Sequence, residues 1–299
     1  MHYQVEHQTV YAYDSPVSQS QQILHLSPRD TPYQQRLNQM LRCEPVPVEQ
    51  SARIDYFGNL CQYFTILSPH QSLSVTSRFE VACLPRPSLD QLLPSPLWED
   101  VRKQLQQPHL HFSSMIEASG YVYHSPKVSC SEALVQYAAR SFTPGRALLP
   151  AAMVLTQQIF KEFKFDAEAT DVSTPLEEVL HNKRGVCQDF AHLMIGVLRS
   201  LGLACRYVSG YILTHPPAGQ ARLVGADASH AWVSVFCPTN GWVDFDPTNN
   251  CLVQQEHITV AWGRDFSDVS PMRGVVLGGG QQQLKVRVTV TPLDLEPIL

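Results

Sequence analysis

Across its 299 residues the chain carries no CxxC pair, no block of basic residues and no apolar run approaching the ~18 residues of a membrane span. Each absence removes a class of function. The eight cysteines, at 43, 61, 83, 130, 187, 205, 237 and 251, are too scattered for a disulfide framework and are expected to be reduced thiols. With 22 Lys+Arg against 27 Asp+Glu and a net charge of −5, the chain lacks the electrostatic footprint of a nucleic-acid binder. The N-terminus MHYQVEHQTVYAYDSPV has neither a positive n-region nor an apolar h-region, so the expected location is the cytoplasm and no membrane partner is expected. No EF-hand loop is present, and GGG at 278–280 follows no strand–helix phosphate pattern and reads as a flexible loop. His109 and His111 have chelate-like spacing but no third ligand, so neither a metal nor a cofactor is expected.

What is present divides the chain in three. Residues 1–84 read as a β-rich domain. YQVEHQTVYAY alternates and puts Tyr3, Val5, His7, Thr9, Tyr11 and Tyr13 on one face, and FGN marks a hairpin turn around Gly58 and Asn59. Residues 85–128 read as a connecting segment, opened by a stretch with four prolines between Pro85 and Asp100. Residues 129–299 form the third part. The period there lengthens to that of a helix over Ser131–Phe142 and Leu148–Phe165, then returns to strands. The tail QLKVRVTVTPL places Leu284, Val286, Val288 and Val290 together, in a strand that closes the N-terminal sheet or edges the second one.

Cys187 stands out among the thiols. Phe190, Leu193, Met194, Val197, Leu198 and Leu201 fall at helical spacing after it, Gly202 supplies the stop, and Gly185 permits a sharp turn just before it. Cys187 therefore sits in a first turn, where unpaired N–H groups and the helix dipole favour an anion, and so a thiolate, and can donate to a developing oxyanion. A buried structural cysteine is the commoner fate, so a nucleophile needs a base.

The base candidate is His230. HAWVSVF and GWVDFD read as two strands joined around Asn240-Gly241, a hairpin turn signal. Folding about residues 238–240 brings Asp246 opposite a residue between 230 and 234, at the open end of the hairpin with His230. A carboxylate there would fix the imidazole tautomer. Asp244, two residues away on the same strand face, competes for that role. His192 points about 140° away from Cys187 around a helix and is a poor partner. Asp189 reads as a helix-end charge or a binder of a substrate amine, and Trp232 as a cleft wall or a core residue.

Three blocks, GVCQDFAHLMIGVLRSLGLACRYVSGY, HAWVSVF and GWVDFDPT, resemble the core signature of the transglutaminase-like superfamily, in its bacterial branch of candidate cysteine proteases. YAYDSPVSQSQQILHLSPRD with DYFGN resembles the β-rich domain that precedes the core in that branch, and HITVAWGRDFSDVSPMRGVVLGGG its C-terminal segment. The resemblance implies an α+β fold, a papain-like core with the Cys-bearing helix packed on an antiparallel sheet behind a β-rich antiparallel N-terminal domain. By position it implies Cys187 as nucleophile, His230 as general base and acid, and Asp246, in preference to Asp244, as the orienting carboxylate. It implies acyl transfer on amide bonds of a peptide or protein substrate through a thioester, resolved by water in a peptidase or amidase, or by an amine in a cross-linker. Relatives that have lost catalysis exist, which leaves a peptide-binding module as a third reading. The Cys187 N–H is one oxyanion donor, and Gln188 or a nearby tyrosine is a candidate for the second.

Overall fold

The alternation of the first residues is used along its whole length. In the computed structural model, which describes residues 1–107, 113–171, 174–214 and 229–293, β1 (His2–Leu24) is the long central strand of an antiparallel sheet. It is followed by β2 (Gln34–Glu44), β3 (Glu49–Ile54), β4 (Leu60–Ile66) and β5 (His70–Cys83), paired in the order β2-β5-β1-β4-β3. Tyr3, Val5, His7, Thr9 and Tyr13 are all buried, as period-two spacing requires of a sheet with one covered face. The hairpin between β3 and β4 turns at Gly58, whose φ of +77° is open to glycine without steric penalty.

The connecting segment is more ordered than its prolines indicate. It carries α1 (Trp98–Gln106) and α2 (Ser113–Ser119), which bury Trp98, Val101, Leu105, Met115 and Ala118 in the main core. Then come α3 (Glu132–Ala138), α4 (Leu148–Glu162), the two-residue β6 (Lys164–Phe165), α5 (Leu176–Asn182), β7 (Arg184–Gly185) parallel to β6, and α6 (Cys187–Ser200). The second sheet follows as β8 (Cys205–Ile212), β9 (Ser229–Cys237), β10 (Gly241–Asp246), β11 (Cys251–Leu252) and β12 (His257–Gly263), in the order β11-β10-β9-β8-β12. After α7 (Phe266–Val269) the chain returns to the first sheet as β13 (Met272–Gly278) and β14 (Gln282–Leu293).

Both of these strands pair with β1, β14 along His2–Tyr13 and β13 along Val17–Leu24, so the tail closes the N-terminal sheet. Its alternating face divides: Val288 and Val290 are buried, while Leu284 and Val286 are exposed where β14 runs past the part of the sheet covered by a second layer. Gly278, Gly279 and Gly280 form the turn between the two strands, all with positive φ. The two sheets share one core, in which Tyr3, Val5, Phe79 and Val290 pack with α6 and the inner face of the second sheet. Among the described residues no helix is long and apolar enough to cross a membrane.

Helix α6 differs from the one-faced pattern of its sequence. It is buried all round, from Asp189 to Arg199, because α3, α4 and α5 cover one side while β8 and β9 cover the other. Gly202 has φ +75° and ends the helix as expected. Near its C-terminal end the apolar surroundings take in a cation, Arg199. It is 3% exposed and donates to the carbonyls of Tyr121, Cys205 and Arg264 and to Ser125 Oγ, all at 2.7–3.0 Å. A buried cation so surrounded leaves little of its hydrogen-bonding capacity unused.

Candidate active site

Cys187 is the first residue of α6 and is half-buried, whereas Cys43, Cys61, Cys83, Cys205 and Cys237 are buried and Cys130 is exposed. The helix start is fixed by Asp189, whose Oδ2 accepts from the Val186 N–H at 2.8 Å and from Thr170 Oγ1 at 2.6 Å. Asp189 is 4% exposed, so it serves as the helix-end charge and not as an open receptor for a substrate amine. Gly185 has a different purpose from the one its position suggests. Its φ is ordinary, but a Cβ there would lie 2.6 Å from Asp189 Oδ2 and displace the carboxylate from the helix end.

At the open end of the β9–β10 hairpin, His230 Nε2 lies 2.7 Å from Asp246 Oδ2. The turn lies where Asn240-Gly241 puts it: Gly241 pairs with Cys237 and has φ +69°. Because Nε2 is taken by the carboxylate, Nδ1 is the ring nitrogen left for the Cys187 thiol, whose Sγ lies 4.0 Å from the carbonyl of Ser229, the residue before His230. Burial works against a charged His230. The hydrogen bonds and negative charge of Asp246 and Cys187 outweigh burial and hold the ring's pKa up at about 10.

A raised folded-state value means that the protonated ring contributes stability in full below its ordinary value near 6.5 and loses it as pH rises through about 10. The stability gap between the native protein and His230→Gln is therefore expected to be widest near pH 6 and to close toward pH 10. Urea unfolding across that range measures it, and a gap independent of pH would refute the assignment.

Asp246 does two jobs, one with each oxygen. Oδ1 accepts from the N–H groups of Thr248 and Asn249 at 2.9 and 3.2 Å, the local turn of an Asp ahead of Pro247. Oδ2 accepts from His230, from Asn249 Nδ2 at 2.7 Å and from His257 Nε2 at 3.0 Å. Burial alone would raise its pKa; the hydrogen bonds from the two histidines and the charge of the His230 ring prevail and hold it well below the usual carboxylate range.

His257 is the site residue that sequence reasoning missed. Its Nδ1 accepts from the Gln254 N–H at 3.4 Å, so Nε2 carries the proton and donates to Asp246. Nothing marks it in the sequence, where it only begins the segment HITVAW.

Trp232 is fully buried and packs beside both histidines, its ring centroid 6.1 Å from that of His230 and 5.4 Å from that of His257, whose rings are 6.0 Å apart. It supports the histidines from behind and does not line the open cleft. Gly210 makes room for it: a Cβ there would meet Trp232 Cη2 at 2.6 Å and collide with the Ile258 carbonyl. Gly210→Ala is expected to destabilise the protein by about 1–3 kcal/mol, the usual range for overpacking. Thermal unfolding should register it, and an unchanged midpoint would remove Trp232 as the support.

The remaining candidates separate cleanly. Asp244 pairs with Arg86 at 2.7 Å and does not reach His230. His192 accepts from the Phe266 N–H at 3.1 Å, away from the thiol. Gln188 is half-buried with no hydrogen-bond partner among the described residues. Tyr207 is buried within the field of Cys187, and burial followed by that negative charge pushes its hydroxyl well above its ordinary value. GRDFSDV caps the tail against the core, with Asp265 accepting from the Lys127 and Ser267 N–H groups and Arg264 paired to Asp268 at 2.9 Å. His109 and His111 lie outside the described residues. Among the described residues two sets of metal-ligating types occur, His230/Asp246/His257 and His25/Asp55/Cys61, each already joined internally: Asp246 takes both histidines, and Cys61 Sγ lies 3.0 Å from His25 Nε2.

Comparison with known proteins places the same blocks. Residues 3–82 match the bacterial transglutaminase-like N-terminal region, and residues 135–247 match the transglutaminase-like superfamily. An uncharacterized protein of Mycobacterium tuberculosis is 36% identical over 302 residues, covering 98% of this chain and 93% of its own length. A protein-glutamine gamma-glutamyltransferase of Pseudomonas aeruginosa is 40% identical over 67 residues, 22% of this chain and 10% of that protein. The crystal structure of a candidate cysteine protease from Cytophaga hutchinsonii superposes with a TM-score of 0.77 over 99% of this chain and 92% of that one, at 19% identity. That likeness speaks for the fold, an α+β core behind a β-rich sheet.

Proposed function

This chain belongs to the transglutaminase-like superfamily, and on that premise we propose that it is a thiol enzyme that hydrolyses peptide or isopeptide bonds through Cys187, His230 and Asp246. The observation that carries the proposal is the half-buried thiol at the start of α6, next to the strand end that carries His230, whose ring is bound to the doubly employed carboxylate. In this reading the protonated ring stabilises a Cys187 thiolate, which attacks the amide carbonyl. The first-turn N–H groups of α6 at Cys187 and Gln188, which have no intrahelical acceptor, receive the oxyanion. His230 then delivers its proton to the leaving amine, producing a thioester, and as a base it activates the water that cleaves the thioester. Asp246 holds the ring's orientation and charge throughout, and His257 and Asn249 hold Asp246.

Amine transfer is the second reading, favoured by the stretch of identity to the Pseudomonas aeruginosa transferase. Both readings share every step up to the thioester, so the experiment must separate its fates. Incubating the protein with glutamine-containing peptides and a saturating fluorescent primary amine, followed by mass spectrometry, does so. Cleaved peptide or free acid without amine adduct is the expected result, and amine adduct as the main product would replace hydrolysis by transfer. A thiol that is never acylated would leave the peptide-binding module.

A further inference from the structure

We propose that a cavity of about 520 Å³ between the β1–β2 loop and the β9–β10 turn binds a small carboxylate with an apolar body, held by Arg206. The volume lies within the usual range of small-molecule sites. The site lies at the turn end of the hairpin, around Asn240 and Gly241, whereas His230 and Asp246 occupy the open end. It is therefore separate from the proposed thiol site and does not depend on that reading.

Arg206 carries the argument. It is 7% exposed, its Nε has no partner, and its guanidinium makes no hydrogen bond to any described residue. Instead its Cζ sits over two rings, 3.6 Å from the centroid of Trp262 and 4.3 Å from that of Trp242. The same chain shows how a buried arginine is satisfied when its role is architectural, since Arg199 finds four protein acceptors. A guanidinium cannot shed its charge by deprotonating at neutral pH, so an unpaired one under cover strongly favours an anion.

The rest of the cavity sets the class of that anion. Arg86 and Asp244 also line it, but they neutralise each other at 2.7 Å. Glu117 stands at the rim, exposed, where water and salt screen it. Asp244 also attracts Arg206 from beside Arg86, but only the Arg206 guanidinium is left without a hydrogen-bond acceptor among the charged groups lining the cavity, which suits a singly charged group. Thr259 Oγ1 lines the cavity and Ser234 Oγ belongs to the residue paired with Arg206 across β8 and β9; both are buried hydroxyls without partners. Trp242, Trp262, Phe236, Leu92 and Val253 supply apolar walls that a hydrated inorganic anion would leave unused. A carboxylate bound edge-on to the guanidinium, with an aromatic or aliphatic body against the tryptophans, fits both halves.

Titration of the full chain with 3-phenylpropanoate, its neutral amide and inorganic phosphate tests the proposal by calorimetry and by the indole N–H signals in nuclear magnetic resonance spectra. The acid is expected to bind at least about tenfold more tightly than either comparator, because the site's charge goes unpaired with the amide. The Trp242 and Trp262 signals should shift while that of Trp98, on α1, stays in place. Arg206→Met should bring the acid down to the affinity of the amide, and Thr259→Val, a milder change, should weaken the acid several-fold if the first variant does not fold. Equal binding of acid and amide, equal binding of phosphate, unmoved Trp242 and Trp262 signals, or no binding of the acid at millimolar concentration would each overturn it.

Discussion

Cys187→Ala is expected to lower turnover by at least about 10³-fold, and to do so without unfolding the protein. The size follows from the division of labour in the site. Without the sulfur no thioester forms, and what survives is only the binding and oxyanion stabilisation that a helix N-terminus provides to water attack. The stability change is expected to stay within about 1 kcal/mol, because the side chain is half-buried and its loss leaves His230 Nδ1 facing the cleft and not a sealed core. Activity against any substrate found by the partition experiment, with the thermal midpoint measured on the same sample, checks both parts. A variant retaining a tenth of native activity would sink the nucleophile assignment. Iodoacetamide footprinting gives a second view, with exposed Cys130 as the internal standard for an ordinary accessible thiol.

Asp246→Ala is expected to fail in both respects at once. Five donors converge on this carboxylate: His230, His257, Asn249 Nδ2 and two backbone N–H groups. Removing it strands them in a site where Asp246 itself is wholly buried, the kind of loss that destabilises proteins by about 3–5 kcal/mol. A fall of order 10 °C in the thermal midpoint should follow. Activity per folded molecule should drop by about 10³-fold or more, since His230 loses both its orientation and the charge that keeps it protonated. A variant that unfolds near the native temperature, or one that turns over normally, would show that Asp246 neither supports nor orients the ring.

The sequence was most legible where one residue type has one cheap purpose. Asn240-Gly241 turned the hairpin, Gly202 ended α6, and the alternation of Tyr3 to Tyr13 gave a covered sheet face. The pairing of His230 with Asp246 could be reached from hairpin register, although register alone left Asp244 in play. That question turned on Arg86, 158 residues earlier in the chain, which occupies Asp244. His257 was illegible for a related reason. It lies on β12, the edge strand, paired with Ile212 of β8, and its ring reaches Asp246 on β10 across the two strands between them. Period and spacing describe neighbours along an element; they say nothing of what a curved sheet brings together across it. Gly185 teaches the same lesson at short range, since its purpose is set by Asp189 and not by its own backbone.

The return of the chain to its first sheet has a consequence for synthesis. β1 offers its early half to β14 and its late half to β13, both made some 250 residues after it. During translation the ribosome therefore releases β1 to β5 long before the strands that cover the remaining hydrogen-bonding edge exist. For most of that interval a long strand with one apolar face waits with one edge open, an invitation to pair with another nascent chain. The charged and amide side chains that alternate along β1, Gln4, Glu6 and Gln8 among them, would keep that waiting edge in water.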